Sequence, residues 1–514
     1  MTRHRFRIAL IAVMLAGVCR AGRAADARRT NSPESLKAAV RHLISAFGSR
    51  YANGQALLAA AEKLKPGDDK ALSALRRRAL IANPLVSGPE ILFVARKQYI
   101  NEHGTEATMY QRGEFNERCF RGGGALKRLD AATGKVTTIL SAPKGIIRDP
   151  EVHFDGGKVV FSMRREANDD YHIYEIDVDG SDLRQLTFAQ RVSDIQPVYM
   201  PDGRIVFSST RDPKFIPCQR HLMANLFTMN GDGSNIRQIG YNTQFEGRAS
   251  LMPDGRILYT RWEYVDKHYA SAYGLWTANP DGTNHALYWG GYGWQPGPVV
   301  DARIVPGTRR FLAVFSAVHE LAWGAMVIGD RSRGLDGMEP IVRSWPADIR
   351  PYMKHWDRED RIGGGFDSFR GVRVKYEDPY PLSKEFILCS RQMGRRKQMG
   401  VLLADVFGNE LPLHAEEPGC FDPMPIARRT RPPVVPDRID LTRTTGTFHV
   451  QNVYIGESMD IVKRGSVKFI RVVEAPSKRT FPPPPASATG RRPAAPTVIT
   501  RWRPTGTTTT TSAS

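Results

Sequence analysis

One pattern, written twice between Ile195 and Trp289, constrains the fold more than any other stretch of the chain. The first copy reads Gln196-Pro-Val-Tyr-Met-Pro-Asp-Gly-Arg-Ile-Val-Phe-Ser-Ser-Thr-Arg211, then Asn225-Leu-Phe-Thr-Met-Asn-Gly-Asp-Gly-Ser-Asn235. The second reads Gly247-Arg-Ala-Ser-Leu-Met-Pro-Asp-Gly-Arg-Ile-Leu-Tyr-Thr-Arg261, then Gly274-Leu-Trp-Thr-Ala-Asn-Pro-Asp-Gly-Thr-Asn284. Asp-Gly supplies the positive-φ residue of a tight hairpin, so each copy predicts consecutive antiparallel strands. Asp202 and Asp254 lie 52 residues apart, and Asp232 and Asp281 lie 49 apart. A period of about 40–50 residues with four strands per unit is the signature of a β-propeller.

The strand pattern runs from Pro89 to about His414 and divides into six units. The first has strands near Ile91–Ala95, Ala125–Asp130 and Val136–Leu140, and the second has Val159–Met163 and Ile173–Asp177. The two copies are the third and fourth. The fifth spans Pro298–Trp345 and the sixth Tyr380–His414, both without the Asp-Gly turns. An unassigned Gly- and charge-rich insert, residues 347–379, leaves a seventh blade open. The expected fold is thus all-β, a six- or seven-bladed propeller over residues 85–415.

The flanks read differently. Arg3, Arg5 and Arg7 precede the apolar run Ile8–Val18, and Gly22-Arg-Ala24 offers a small-residue cleavage site, so residues 1–24 read as an export signal. The expected location is periplasmic or secreted, and the run is too short for a spanning helix. Residues 30–84 form a helical segment: Ser32-Pro33 starts a helix carrying Leu36, Val40, Leu43, Ile44 and Phe47, and two more helices cover Gly54–Leu64 and Asp68–Ile81. Residues 416–475 read as a linker and an incomplete β module with strands at Thr447–Ile455 and Ser466–Val473. Residues 476–514, with Pro482–Pro485 and Thr507–Thr511, have the composition of a disordered Pro/Thr-rich tail.

The chain carries 73 Lys and Arg against 53 Asp and Glu, but the charge is scattered and no nucleic-acid module accompanies it. There is no Gly-x-Ser-x-Gly elbow, no phosphate-binding loop and no Cys-x-x-Cys-His. These absences turn attention from hydrolase and nucleotide chemistry to the loops.

In a propeller, the loops joining second to third strands open on one face around the channel mouth. Here they bring His103, Tyr110 and Cys119; Arg164, Arg165 and His172; Cys218 and His221; Glu263, Tyr264, Asp266 and His268; and His319, Glu320 and Trp323. Ligand-binding candidates are His103, His268 and His319, with Arg211, Glu246, Arg248 and Arg261 at the strand ends. Arginines at a mouth favour a small anionic ligand; the alternative is a ring of salt bridges between blades. Cys218-Gln-Arg-His221 has the spacing of half a metal site, so the rival function is a redox subunit holding haem or a metal ion there. A visible absorption spectrum and metal analysis separate the two readings.

Arg220-His-Leu-Met-Ala-Asn-Leu-Phe227, the stretch Gly247–Trp262, Gly274–His285 and Pro418-Gly-Cys-Phe-Asp-Pro-Met-Pro425 resemble the hydrazine synthase alpha-subunit-like proteins. The resemblance covers roughly residues 85–475 and implies a TolB-like six-bladed propeller. It also implies a relationship to a subunit that binds c-type haem and joins nitric oxide with ammonium in a multi-subunit complex. The chain departs from that subunit in lacking the usual haem-attachment motif. The function expected is an exported propeller that binds a ligand or partner protein on its long-loop face.

Overall fold

The computed structural model describes residues 30–65, 67–99, 120–216, 222–263, 273–290, 296–353, 367–394, 398–447, 450–455, 459–474, 476–481 and 497–498. Six four-stranded antiparallel sheets make a six-bladed propeller. From the innermost strand outward, blade II is Ile146–Val152, Lys158–Arg164, His172–Asp177 and Arg184–Gln185; blade III is Asp194–Tyr199, Ile205–Phe215, Leu222–Met229 and Arg237–Gln238. Blade IV is Glu246–Leu251, Ile257–Trp262, Tyr273–Ala278 and Ala286–Trp289; blade V is Val299–Ile304, Arg310–Phe315, Ala325–Asp330 and Ile341–Trp345. Blade VI is Tyr376–Pro381, Phe386–Gln392, Met399–Asp405 and Glu410–His414.

Blade I is built from both ends of the ring. Glu90–Ala95, Gly124–Leu129 and Val136–Ala142 take as their innermost strand Cys420–Ile426, a segment that the sequence reading places beyond the propeller. Its pairing runs from Glu90↔Ile426 to Ala95↔Cys420. This join leaves no open sheet edge at the seam, which is how a ring of sheets avoids unpaired backbone. The insert does not add a blade: its last residues become the inner strand of blade VI.

Local chemistry explains the hairpins. Gly203 and Gly255 take φ of +89° and +86°, and Asp202 Oδ1 and Asp254 Oδ1 accept the backbone N–H two residues on, at 3.0 and 3.1 Å. Apolar residues facing between blades make the core; Phe161, Phe207, Leu258, Phe311 and Leu388 are fully buried.

Helices α1 (Pro33–Phe47), α2 (Gly54–Glu62) and α3 (Asp69–Ile81) precede the ring, with a one-turn α4 (Pro84–Ser87). Ser32 caps α1, its Oγ accepting from Ser35 N at 3.1 Å, and Pro33 fills the first turn. The apolar stripe Leu36, Val40 and Leu43 packs into one cluster with Phe93 of blade I and Phe386 and Leu388 of blade VI. Asn31 N donates to Gly408 O at 2.8 Å and Asn409 Nδ2 to Ser35 O at 2.9 Å, so the helices clasp the seam where the ring closes.

Segments 450–455 and 466–473, expected as strands, form none. Their apolar residues stay in solvent, with Ile455 78% and Phe469 92% exposed, and among the described residues no strand packs over them. Residues 427–441 instead strap across the turns at the end of the ring opposite the long loops. Arg429 donates to Val152 O at 2.8 Å, Asp437 pairs with Arg204 at 2.7 Å, and Arg438 N and Ile439 N donate to Asp281 Oδ2.

Candidate functional site

The six inner strands share one irregularity. Asp149, Gln196, Arg248, Asp301, Asp378 and Asp422 all have φ between +51° and +59°, and in every blade the pairing of first and second strands slips at that point. Such a β-bulge re-aims a side chain. Asp tolerates the left-handed conformation better than most residues, and in four blades the next residue is Pro, which needs no ladder partner. The result is a six-membered ring of polar side chains lining an axial cavity of about 80 Å³.

The ring is wired in sequence order. Asp149 Oδ2 accepts from Gln196 N at 3.2 Å, Gln196 Oε1 from Arg248 N at 2.8 Å, and Asp378 Oδ2 from Asp422 N at 3.0 Å. Second-strand hydroxyls add support: Ser162 to Asp149 at 3.5 Å, Ser208 to Gln196 at 2.8 Å and Ser390 to Asp378 at 3.2 Å.

Inner strands begin at the end where second strands finish, as Glu246↔Arg261 and Asp194↔Ser209 show, so the ring lies toward the long-loop mouth. Between ring and loops, Arg96 is sandwiched by Tyr99 and Phe421, 4.0 and 3.7 Å from their ring centroids, and pairs with Glu377 at 3.6 Å. Arg148 pairs with Asp149 at 2.6 Å. Toward the opposite end, Arg303 of blade V reaches Glu151 of blade II at 2.9 Å. Those blades face each other in a ring of six, so the pair forms a bar across the axis, braced by Arg429 on Glu151 at 2.5 Å.

Burial dominates the ionisation of two ring members, Asp378 and Asp422. Asp422 is pushed up to about 7, first by burial and next by the neighbouring Asp149 charge. Asp378 is pushed well above the usual carboxylate range by burial, then by Asp422, Glu377 and Asp301.

Of the described residues expected from sequence, Arg248 alone lines the cavity, and its Nη1 lies 2.6 Å from Asp301 of the next blade. Arg211 and Arg261 form pairs within their own blades, with Asp194 at 2.6 Å and Glu246 at 3.0 Å. Glu246 is fully buried and also accepts from Asn225 at 3.0 Å. The arginines expected to attract an anion therefore already hold carboxylates, mostly within blades rather than between them. His319 lies on a blade V loop, bonded through N and Nδ1 to both carboxylate oxygens of Asp367 at 2.9 and 2.7 Å. His103, Cys218, His221 and His268 lie outside the described residues, and with them the suggested haem or metal ligands. Among the described residues no group of three His, Cys, Asp or Glu side chains is arranged to hold a metal ion. Sequence reasoning passed over Asp149, Asp301, Asp378 and Asp422; the available signal was the recurring Asp-Pro at 149–150, 378–379 and 422–423.

No protein-family model matches the chain, and no curated protein matches it significantly. Among solved structures it is similar to hydrazine synthase from Kuenenia stuttgartiensis, with 17% identity and a TM-score of 0.50 over 68% of this chain and 48% of that one. The chain thus spans about half the length of that protein. It also matches TolB from Acinetobacter baumannii, with 13% identity and a TM-score of 0.42 over 70% of this chain and 73% of that one. Taken with the repeat and the six closed sheets, the chain is a six-bladed β-propeller whose fold is similar to that of hydrazine synthase.

Proposed function

We propose that the chain is an exported binding protein whose axial cavity and long-loop rim take a ligand or a partner protein. The observation that carries this reading is the ring of six bulged side chains. A scaffold position held at positive φ in every blade, with mainly charged residues, is costly for folding alone and is the kind of strain that marks sites. The export half rests on the Arg-flanked apolar run and on Ala24. Among the described residues no helix is long and apolar enough to cross a membrane.

The test is site-specific photocrosslinking in cells that export the chain. A benzophenone side chain replaces the exposed Lys97 or Arg165 beside the long loops, or the exposed Asp202 or Asp254 at the opposite end. We expect a chain starting at Ala25 that forms discrete adducts from positions 97 and 165 only, read by intact mass and peptide mapping. Adducts confined to positions 202 and 254, or a chain retaining residues 1–24 in the cytoplasm, would overturn the proposal.

A further inference from the structure

We infer that the sector of the ring formed by Asp301, Asp378 and Asp422, in the consecutive blades V, VI and I, is a subsite for a protonated amine. The inference deepens the binding reading above and rests on it.

Charge balance supplies the first argument. Asp149, Glu151, Asp301 and Glu377 each have an arginine nitrogen within 3.6 Å. Among the described residues, Asp378 and Asp422 have no ion-pair partner, although they are neighbours joined by the Asp422 N–H. Two adjacent buried carboxylates with no cation in direct contact either hold a proton or draw a cation in.

Hydrogen bonding supplies a second, independent argument. The second-strand position that carries Ser162, Ser208 and Ser390 in blades II, III and VI is Val314 in blade V and Val94 in blade I, by the pairings Val300↔Val314 and Phe421↔Val94. At those two blades the ring carboxylates keep a buried oxygen with no donor: Asp301 Oδ2 and Asp422 Oδ2. The sequence has thus removed the internal donor on both sides of Asp378, leaving acceptors that an outside donor must satisfy. Water would supply O–H donors but no charge.

An ammonium group supplies three donors and one charge together. The cavity of about 80 Å³ admits a small alkylammonium or the end of a lysine side chain, and the described carboxylates do not converge closely enough to ligate a bare metal ion. The charged groups facing Asp422 are Asp149, Glu377, Arg96 and Arg148, and those facing Asp378 include Asp301 and Arg96. With Asp422 titrating at about 7, a cation binds its ionised form, so affinity rises with pH across that value.

Isothermal titration of the full mature chain with n-propylammonium chloride at fixed ionic strength tests this, with tetramethylammonium, calcium chloride and a blocked lysine amide as parallel arms. We expect n-propylammonium to bind about tenfold more tightly at pH 8 than at pH 6, and tetramethylammonium, which has no N–H, to bind at least tenfold more weakly. Asp422→Asn should weaken binding at least tenfold. The double variant Val94→Ser, Val314→Ser keeps every charge and follows the residue choice of the other blades, so it should fold and weaken binding severalfold by supplying the missing hydroxyls. Tighter binding of the lysine amide than of n-propylammonium assigns the subsite to a partner's side chain; the reverse assigns it to a free amine. No amine binding, binding of calcium alone, or affinity unchanged in Asp422→Asn or in the double serine variant would overturn the inference. Rim crosslinks without amine binding would refute this subsite and leave the broader reading standing.

Discussion

Glu246 shows how a single side chain sets the geometry of the rim. It is wholly buried, yet it binds the Arg261 guanidinium at 3.0 Å and the Asn225 amide at 3.0 Å. Replacing it by Ala leaves a half-buried cation and a buried amide without their acceptor, which costs about 3–5 kcal/mol. Urea unfolding of Glu246→Ala should show that loss, whereas Glu339→Ala, which breaks an exposed pair with Arg333, should stay within about 0.5 kcal/mol. Sequence reading picked out Arg211, Glu246 and Arg261 because charged residues at strand ends stand out. It could not see that each had a partner, since Asp194 and Arg211 meet only through the hairpin register. The ring aspartates were harder to see. A bulge breaks the two-residue alternation of a strand, so Asp149 or Asp422 reads as a turn residue rather than as a side chain aimed at an axis.

Among the elements, the strand Cys420–Ile426 matters most, because it closes the ring from a distance of more than three hundred residues along the chain. Phe421 is fully buried and forms one face of the stack on Arg96. Phe421→Ala should cost about 3–5 kcal/mol by the usual penalty for emptying an aromatic site. Phe469→Ala, at a side chain 92% exposed, should change stability by less than about 0.5 kcal/mol; chemical denaturation of both variants checks the contrast. The middle strands of the blades were legible because apolar runs such as Phe386-Ile-Leu-Cys389 sit between turn signals. The inner strands of blades V, VI and I were not: Val299–Ile304, Tyr376–Pro381 and Cys420–Ile426 carry Asp, Arg or Pro at their centres. A charged residue in mid-strand argues against a strand until the bulge that turns it to the axis is known.

For the whole molecule, closure depends on two clasps that lie outside the repeat. The helices α1 to α3 bury their apolar stripe over the seam between blades I and VI, and the strap 427–441 ties blades II, III and IV at the end opposite the long loops, where the helical segment also bonds Gly408 and Asn409. A chain ending at residue 498, which keeps the strap and the Arg479–Asp212 pair at 2.6 Å, should keep the melting temperature of the full chain. One ending at residue 426 loses the Arg429–Glu151 pair and the Asp281 contacts, and should melt about 3 °C or more lower, on the scaling of melting shift with stability. Differential scanning calorimetry of the two truncations decides it. The bar that Arg303 and Glu151 place across the axis has a further consequence. It turns the channel into a cup rather than a pipe, so a solute cannot pass from one face of the disc to the other. Whatever settles at the bottom must leave by the opening it came through, and a protein seated on that opening would imprison it.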